Sequence, residues 1–218
     1  MPFIETVAFP ARFRPALSGG DLKSLAEQDC ADAAERLARG LVRLQLGREA
    51  EARADFEAGA TPACRLEIAF LDLRRRQDPK GLITLADEMV AAEAGDSLLA
   101  ARANHLAGLA ENQLRRLQPA TDRLLDALEI YERLECRPGT AQVNDGLGMV
   151  LASRGLADLA ALHYALSLAD KGELSDREGL AITLGNLGRL ALQQGRYRDA
   201  IAFFRRDTAI LRELRNDR

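Results

Sequence analysis

One spacing constrains this chain more than any other. Gly108, Gly148 and Gly188 stand 40 residues apart. Ala120, Ala160 and Ala200 keep the same step, and so do the large apolar residues Leu124, Tyr164 and Phe204. Three columns sharing one period describe a repeated supersecondary unit that buries its apolar face only by stacking on its neighbours.

Each period reads as two amphipathic helices. In the last, Asp176 caps a helix carrying Leu180, Leu184, Leu187 and Ala191 at helical spacing, and Gly195 ends it. A second helix follows with Ala200, Phe204, Ile210, Leu211 and Leu214. Gly155 breaks the preceding period at the same distance from its column glycine, and Pro119 supplies a helix start in the first. The glycine and alanine columns mark where two axes cross closely, and the large residue four positions on is expected to fill the gap against the next hairpin. The composition agrees: aromatics are only 5% and Trp is absent, so the core is built from Leu and Ala, as close helix packing favours and a sheet does not.

The segments NLGRLALQQGRYRDAIAFF (Asn186 to Phe204) and GLGMVLASRGLADLAALHY (Gly146 to Tyr164) resemble tetratricopeptide repeats, with the family's Leu-Gly pair, mid-hairpin Gly, Ala and aromatic in order. The step of 40 resembles the longer variant found in kinesin light chains, polarity adaptors and bacterial regulators. Upstream, Gly40, Gly47, Ala52 and Phe56 fit a shorter repeat. Two helical patterns, around Ile68 to Leu73 and Leu82 to Val90, make a diverged hairpin. The expected fold is all-α, a right-handed α-solenoid of about five antiparallel helix hairpins. An extended arm covers 1–20, diverged helical repeats cover 21–96, and three 40-residue repeats cover 97–218. Arg115 stands where the mid-hairpin Gly is expected and Asp207 where the family has a small residue, both local irregularities.

The resemblance implies a module that binds a protein or peptide segment in its concave groove, lined by the first helix of each hairpin. Residues on one face of those helices are Arg102, His105, Leu109 and Asn112, then Gln142, Asp145 and Met149, then Asn186, Arg189 and Gln193. Asn offers donor and acceptor to a peptide unit, and Arg grips a carboxylate with two parallel bonds. The stricter clamp for a chaperone C-terminus, with Lys and Arg on one later helix, is not matched. His163, beside Tyr164 on a second helix, reads as a packed or surface residue. His105 faces the expected groove, where a pH-sensing role is the sharper alternative to simple lining.

Other chemistry has little material. There is no phosphate loop, and GLG at Gly146 to Gly148 falls inside a helix. With two His and three scattered Cys, no nucleophilic triad, metal site or disulfide framework is indicated, so no catalytic residue, cofactor or metal is expected. The net charge of −3 and the scarcity of aromatics weigh against nucleic acid, although the final stretch is locally basic through Arg196, Arg198, Arg205, Arg206, Arg212, Arg215 and Arg218. The uncharged run Leu159 to Ala169 is too short to span a membrane. The start lacks a secretory pattern, which places the chain in the cytoplasm by elimination.

Both ends carry expectations of their own. The chain stops after a second helix, leaving Ile210, Leu211 and Leu214 without cover. It is then either part of a longer signalling protein or a homodimer through that face. At the start, Phe3, Ile4, Val7, Phe9 and Phe13 read as a strap over the first hairpins or as an arm that gates the groove.

Overall fold

The computed structural model describes residues 21–93 and 97–216. The N-terminal arm and its two proposed roles lie outside the described residues. The rest is helical: α1 (Leu22–Ala26), α2 (Ala33–Gln45), α3 (Glu49–Gly59), α4 (Pro62–Arg74), α5 (Pro79–Ala92), α6 (Leu98–Gln113), α7 (Leu117–Arg133), α8 (Arg137–Ser153), α9 (Ala157–Glu173), α10 (Arg177–Gln193) and α11 (Tyr197–Asn216). From α2 onward these form five successive antiparallel pairs, a tetratricopeptide-like helical solenoid. The pairs α6–α7, α8–α9 and α10–α11 are the most extensively packed, whereas α5 packs more on α6 than on its own partner α4.

Local chemistry sets the ends. Side chains of Asp32, Thr61, Asp78, Ser97 and Asp176 accept from backbone N–H groups in the first turns of α2, α4, α5, α6 and α10, satisfying donors the helix cannot. The Asp176 cap expected from sequence is among them. The start at Pro119 is displaced: α7 begins at Leu117, so the proline sits within the first turn.

The first helix of every pair ends alike. The second residue past it lies in the left-handed region, at Gly47, Arg76, Arg115, Gly155 and Gly195. The N–H after it returns to a carbonyl five residues back: Arg48 to Arg43, Gln77 to Asp72, Arg116 to Glu111, Leu156 to Leu151 and Arg196 to Ala191, all at 2.8–2.9 Å.

The repeat columns have a direct packing cause. A Cβ built on Gly108 would stand 2.7 Å from Leu124, on Gly148 2.5 Å from Tyr164, on Gly188 2.6 Å from Phe204 and on Gly40 2.4 Å from Phe56. The large side chain therefore lies on the glycine of its own hairpin, in addition to any contact it makes with the next. Leu124 also reaches Gly146 of α8. Ala120, Ala160 and Ala200 are buried beside these contacts.

Candidate functional site

The first-helix face picked out by periodicity divides in two. Its inner part is closed. Arg102 on α6 is buried and donates from Nε and Nη2 to the two oxygens of buried Glu67 on α4, at 3.0 and 3.1 Å. Its Nη1 donates to Gln142 Oε1 on α8 at 3.1 Å, and its guanidinium lies 5.0 Å from the Phe70 ring centroid. Asp145 is buried and accepts from Lys171 Nζ and, at 2.9 Å, from Thr183 Oγ1. Asn186 is buried and accepts from the exposed Arg189. His105 is 4% exposed, and its Nδ1 has no hydrogen-bond partner. Burial, then the Arg102 and Lys171 cations, hold its pKa well below 6.5.

These residues form a polar spine through α4, α6, α8, α9 and α10. Such pairs fix register more than they add stability, because removing two charges from water offsets their attraction. Arg102, His105, Asp145 and Asn186 thus serve the interior in this structure, with Gln142 at its margin.

The outer part is open. Leu109, Asn112 and Met149, three of the residues picked from sequence, meet at a cleft of about 670 Å³. Phe70, Leu73 and Arg74 of α4, Arg76 and Pro79 at the α4–α5 turn, and Gln113 and Arg115 at the end of α6 complete it. The wall joins the first helices of three consecutive hairpins and contains no carboxylate. Gln113 Nε2 donates to the Leu73 carbonyl at 3.3 Å, tying α6 to α4. Arg189 lies apart, in a second hollow with Ile182, Asn186, Phe204, Asp207 and Leu211, and Gln193 is exposed farther along α10.

Periodicity missed Phe70, Leu73, Arg74, Arg76 and Pro79 because α4 belongs to a diverged hairpin with no 40-residue register to the others. The available signal was the mid-hairpin glycine column, in which Arg115 takes the place held by Gly47, Gly155 and Gly195.

The tetratricopeptide repeat family matches residues 139–213, from the first turn of α8 into α11. The likeness to that family is shown over these residues, about a third of the chain. Solved structures with the same fold include BtubC (BKLC) from P. vanneervenii, with TM-score 0.53 and 19% identity over 94% of this chain and 75% of that one. They also include the apo form of RapI, with TM-score 0.58 and 13% identity over 94% of this chain and 90% of that one. At these identities the likeness is one of fold. No curated protein matches the chain.

The remaining features singled out from the sequence lie away from the cleft. His163 is half-buried, its Nδ1 2.9 Å from Asn144 Oδ1. On α11, Leu211 is exposed while Ile210 and Leu214 are partly covered, so the open apolar surface at this end is better described by Ile182, Ile201 and Leu211. Among the described residues no helix is long and apolar enough to cross a membrane.

Proposed function

We propose that the chain is a protein-interaction module that holds a peptide or protein segment in the groove formed by α4, α6 and α8. One observation carries this reading: three successive first helices present an open cleft whose apolar floor (Phe70, Leu73, Leu109, Met149) is bordered by amide and guanidinium groups. An extended peptide needs both, apolar contact for affinity and polar groups for its backbone. The chain acts by recognition and has no chemistry of its own. Cys30, Cys64 and Cys136 form no disulfide among the described residues, in keeping with a cytoplasmic address, and the 40-residue step supports a scaffolding part of a bacterial signalling protein.

The test is selection from a random peptide display library on the whole chain, followed by affinity measurement. Binders should weaken about tenfold or more with Met149→Glu and be unchanged by Leu162→Glu on the outer face of α9. Binders indifferent to Met149→Glu would remove the groove from consideration.

A second reading rests on a different surface. Ile182, Ile201 and Leu211 are 57%, 51% and 47% exposed at the α10–α11 end, and a face of this kind fits self-association. Light scattering over a concentration range decides it: a dimer dissociated by Ile201→Glu with Leu211→Glu supports the reading, and a monomer throughout removes it.

A further inference from the structure

We infer that the α4–α6–α8 cleft selects acidic peptides, gripping carboxylates with the arginines that replace glycine at two hairpin turns. The inference rests on the groove reading above and names the chemistry of its ligand.

The repeats provide their own comparison. At the left-handed position after the first helix, hairpins one, four and five use Gly47, Gly155 and Gly195, whereas hairpins two and three use Arg76 at φ 59 and Arg115 at φ 62. Glycine takes this conformation freely and arginine does not. Both exceptions line the same cleft, and the three turns of this kind away from it carry glycine.

Their charges are also unspent. Neighbouring Arg75 pairs with Glu49 at 2.8 Å and Arg116 with Glu111 at 3.4 Å. Arg74, Arg76 and Arg115 make no ion pair among the described residues, and the cleft wall brings no acid to them. Three guanidiniums around an apolar floor complement a segment with two or three carboxylates and an aliphatic or aromatic side chain between them.

The apolar floor of Phe70, Leu73, Leu109 and Met149 favours a peptide over a nucleic acid. A peptide supplies aliphatic and aromatic side chains together with carboxylates, whereas a nucleic acid carries its charge on a continuous phosphate backbone. The N-terminal arm is a poorer occupant on charge, since MPFIETVAFPARFRP carries Arg12 and Arg14 against Glu5.

The experiment takes the peptides selected from the random library, labels them with fluorescein, and measures polarisation against the whole chain. It uses wild type, Met149→Glu, the pair Arg76→Gly with Arg115→Gly, and the pair Arg76→Lys with Arg115→Lys. The expected winners are rich in Asp and Glu around one apolar residue. They bind less tightly as salt rises from about 0.1 M to about 1 M, where the Debye length falls from about 10 Å to about 3 Å. The glycine pair loses about tenfold or more in affinity while melting no lower than wild type, and the lysine pair recovers part of the loss. A merely structural role for these arginines predicts no such separation of binding from melting.

Neutral or basic winners that still require Met149 would overturn the acidic specificity and leave the groove reading standing. Winners indifferent to Met149→Glu, or no winners at all, would overturn both. Displacement of bound peptide by oligouridylate at equal charge, with tighter binding of the RNA, would reassign the cleft to nucleic acid.

Discussion

Arg115 shows at the scale of one residue how a departure from a repeat separates folding from function. Its left-handed backbone costs an L-residue roughly 1–2 kcal/mol, and glycine gives back roughly 0.5–1 kcal/mol of that through its greater freedom when unfolded. Arg115→Gly should therefore raise the melting temperature by roughly 1–4 °C, read by calorimetry; a lower melting temperature would mean the side chain is structural. His105 makes the opposite kind of statement. Its folded pKa is depressed by burial and by Arg102 and Lys171, whereas the unfolded chain takes a proton near 6.5. Above that pH both states are neutral and the residue adds no slope. As pH falls below it only the unfolded chain gains the proton, so stability drops. Between about pH 7.5 and about pH 5.5, wild type should lose about 1 kcal/mol more than His105→Asn in urea unfolding. Equal losses would show that the imidazole charges freely in the folded state.

At the scale of the element, the glycine columns are steric. Gly148→Ala puts a methyl group 2.5 Å from the buried Tyr164 ring, and overpacking of this kind costs about 1–3 kcal/mol. Tyr164→Ala should recover part of the steric cost, since it removes the ring that the added methyl group meets, and the double-mutant cycle should show coupling. Additive effects would break the link between the columns. The same contacts explain what the sequence made legible. Hairpins from α6 onward are repeated, so their helices, crossings and Asp176 cap follow from the period. The groove face was legible only in part. Periodicity gives the direction of a Cβ, not whether a partner covers it. Arg102 and Asp145 lie on the expected face yet are closed off by Glu67 and Lys171, residues 35 and 26 positions away in the chain. Arg76 belongs to a hairpin whose register has drifted, so no column pointed to it.

At the scale of the molecule the core is three apolar clusters in series. One joins α1 to α4 through Leu37, Phe56 and Leu71; one joins α4 to α6 through Leu66, Leu82 and Leu106; one runs from α6 to α10 through Leu124, Leu147 and Leu190. α4 contributes to the first two but packs thinly against both α3 and α5. The buried Glu67–Arg102 pair is thus a principal tie between α4 and the repeats that follow. Removing one partner of a buried pair costs about 3–5 kcal/mol, because the remaining charge is stranded away from water. In a solenoid, where each unit contacts only its neighbours, that loss stays local. Glu67→Ala should therefore split urea unfolding in two, with amides of α2 and α3 losing hydrogen-exchange protection at lower denaturant than those of α8 and α9. Glu67→Leu with Arg102→Met, which removes both charges and keeps the volume, should restore much of the cooperativity. A single transition in Glu67→Ala, with all amides lost together, would place the coupling in the apolar contacts of Leu66 and Leu73 instead of the ion pair.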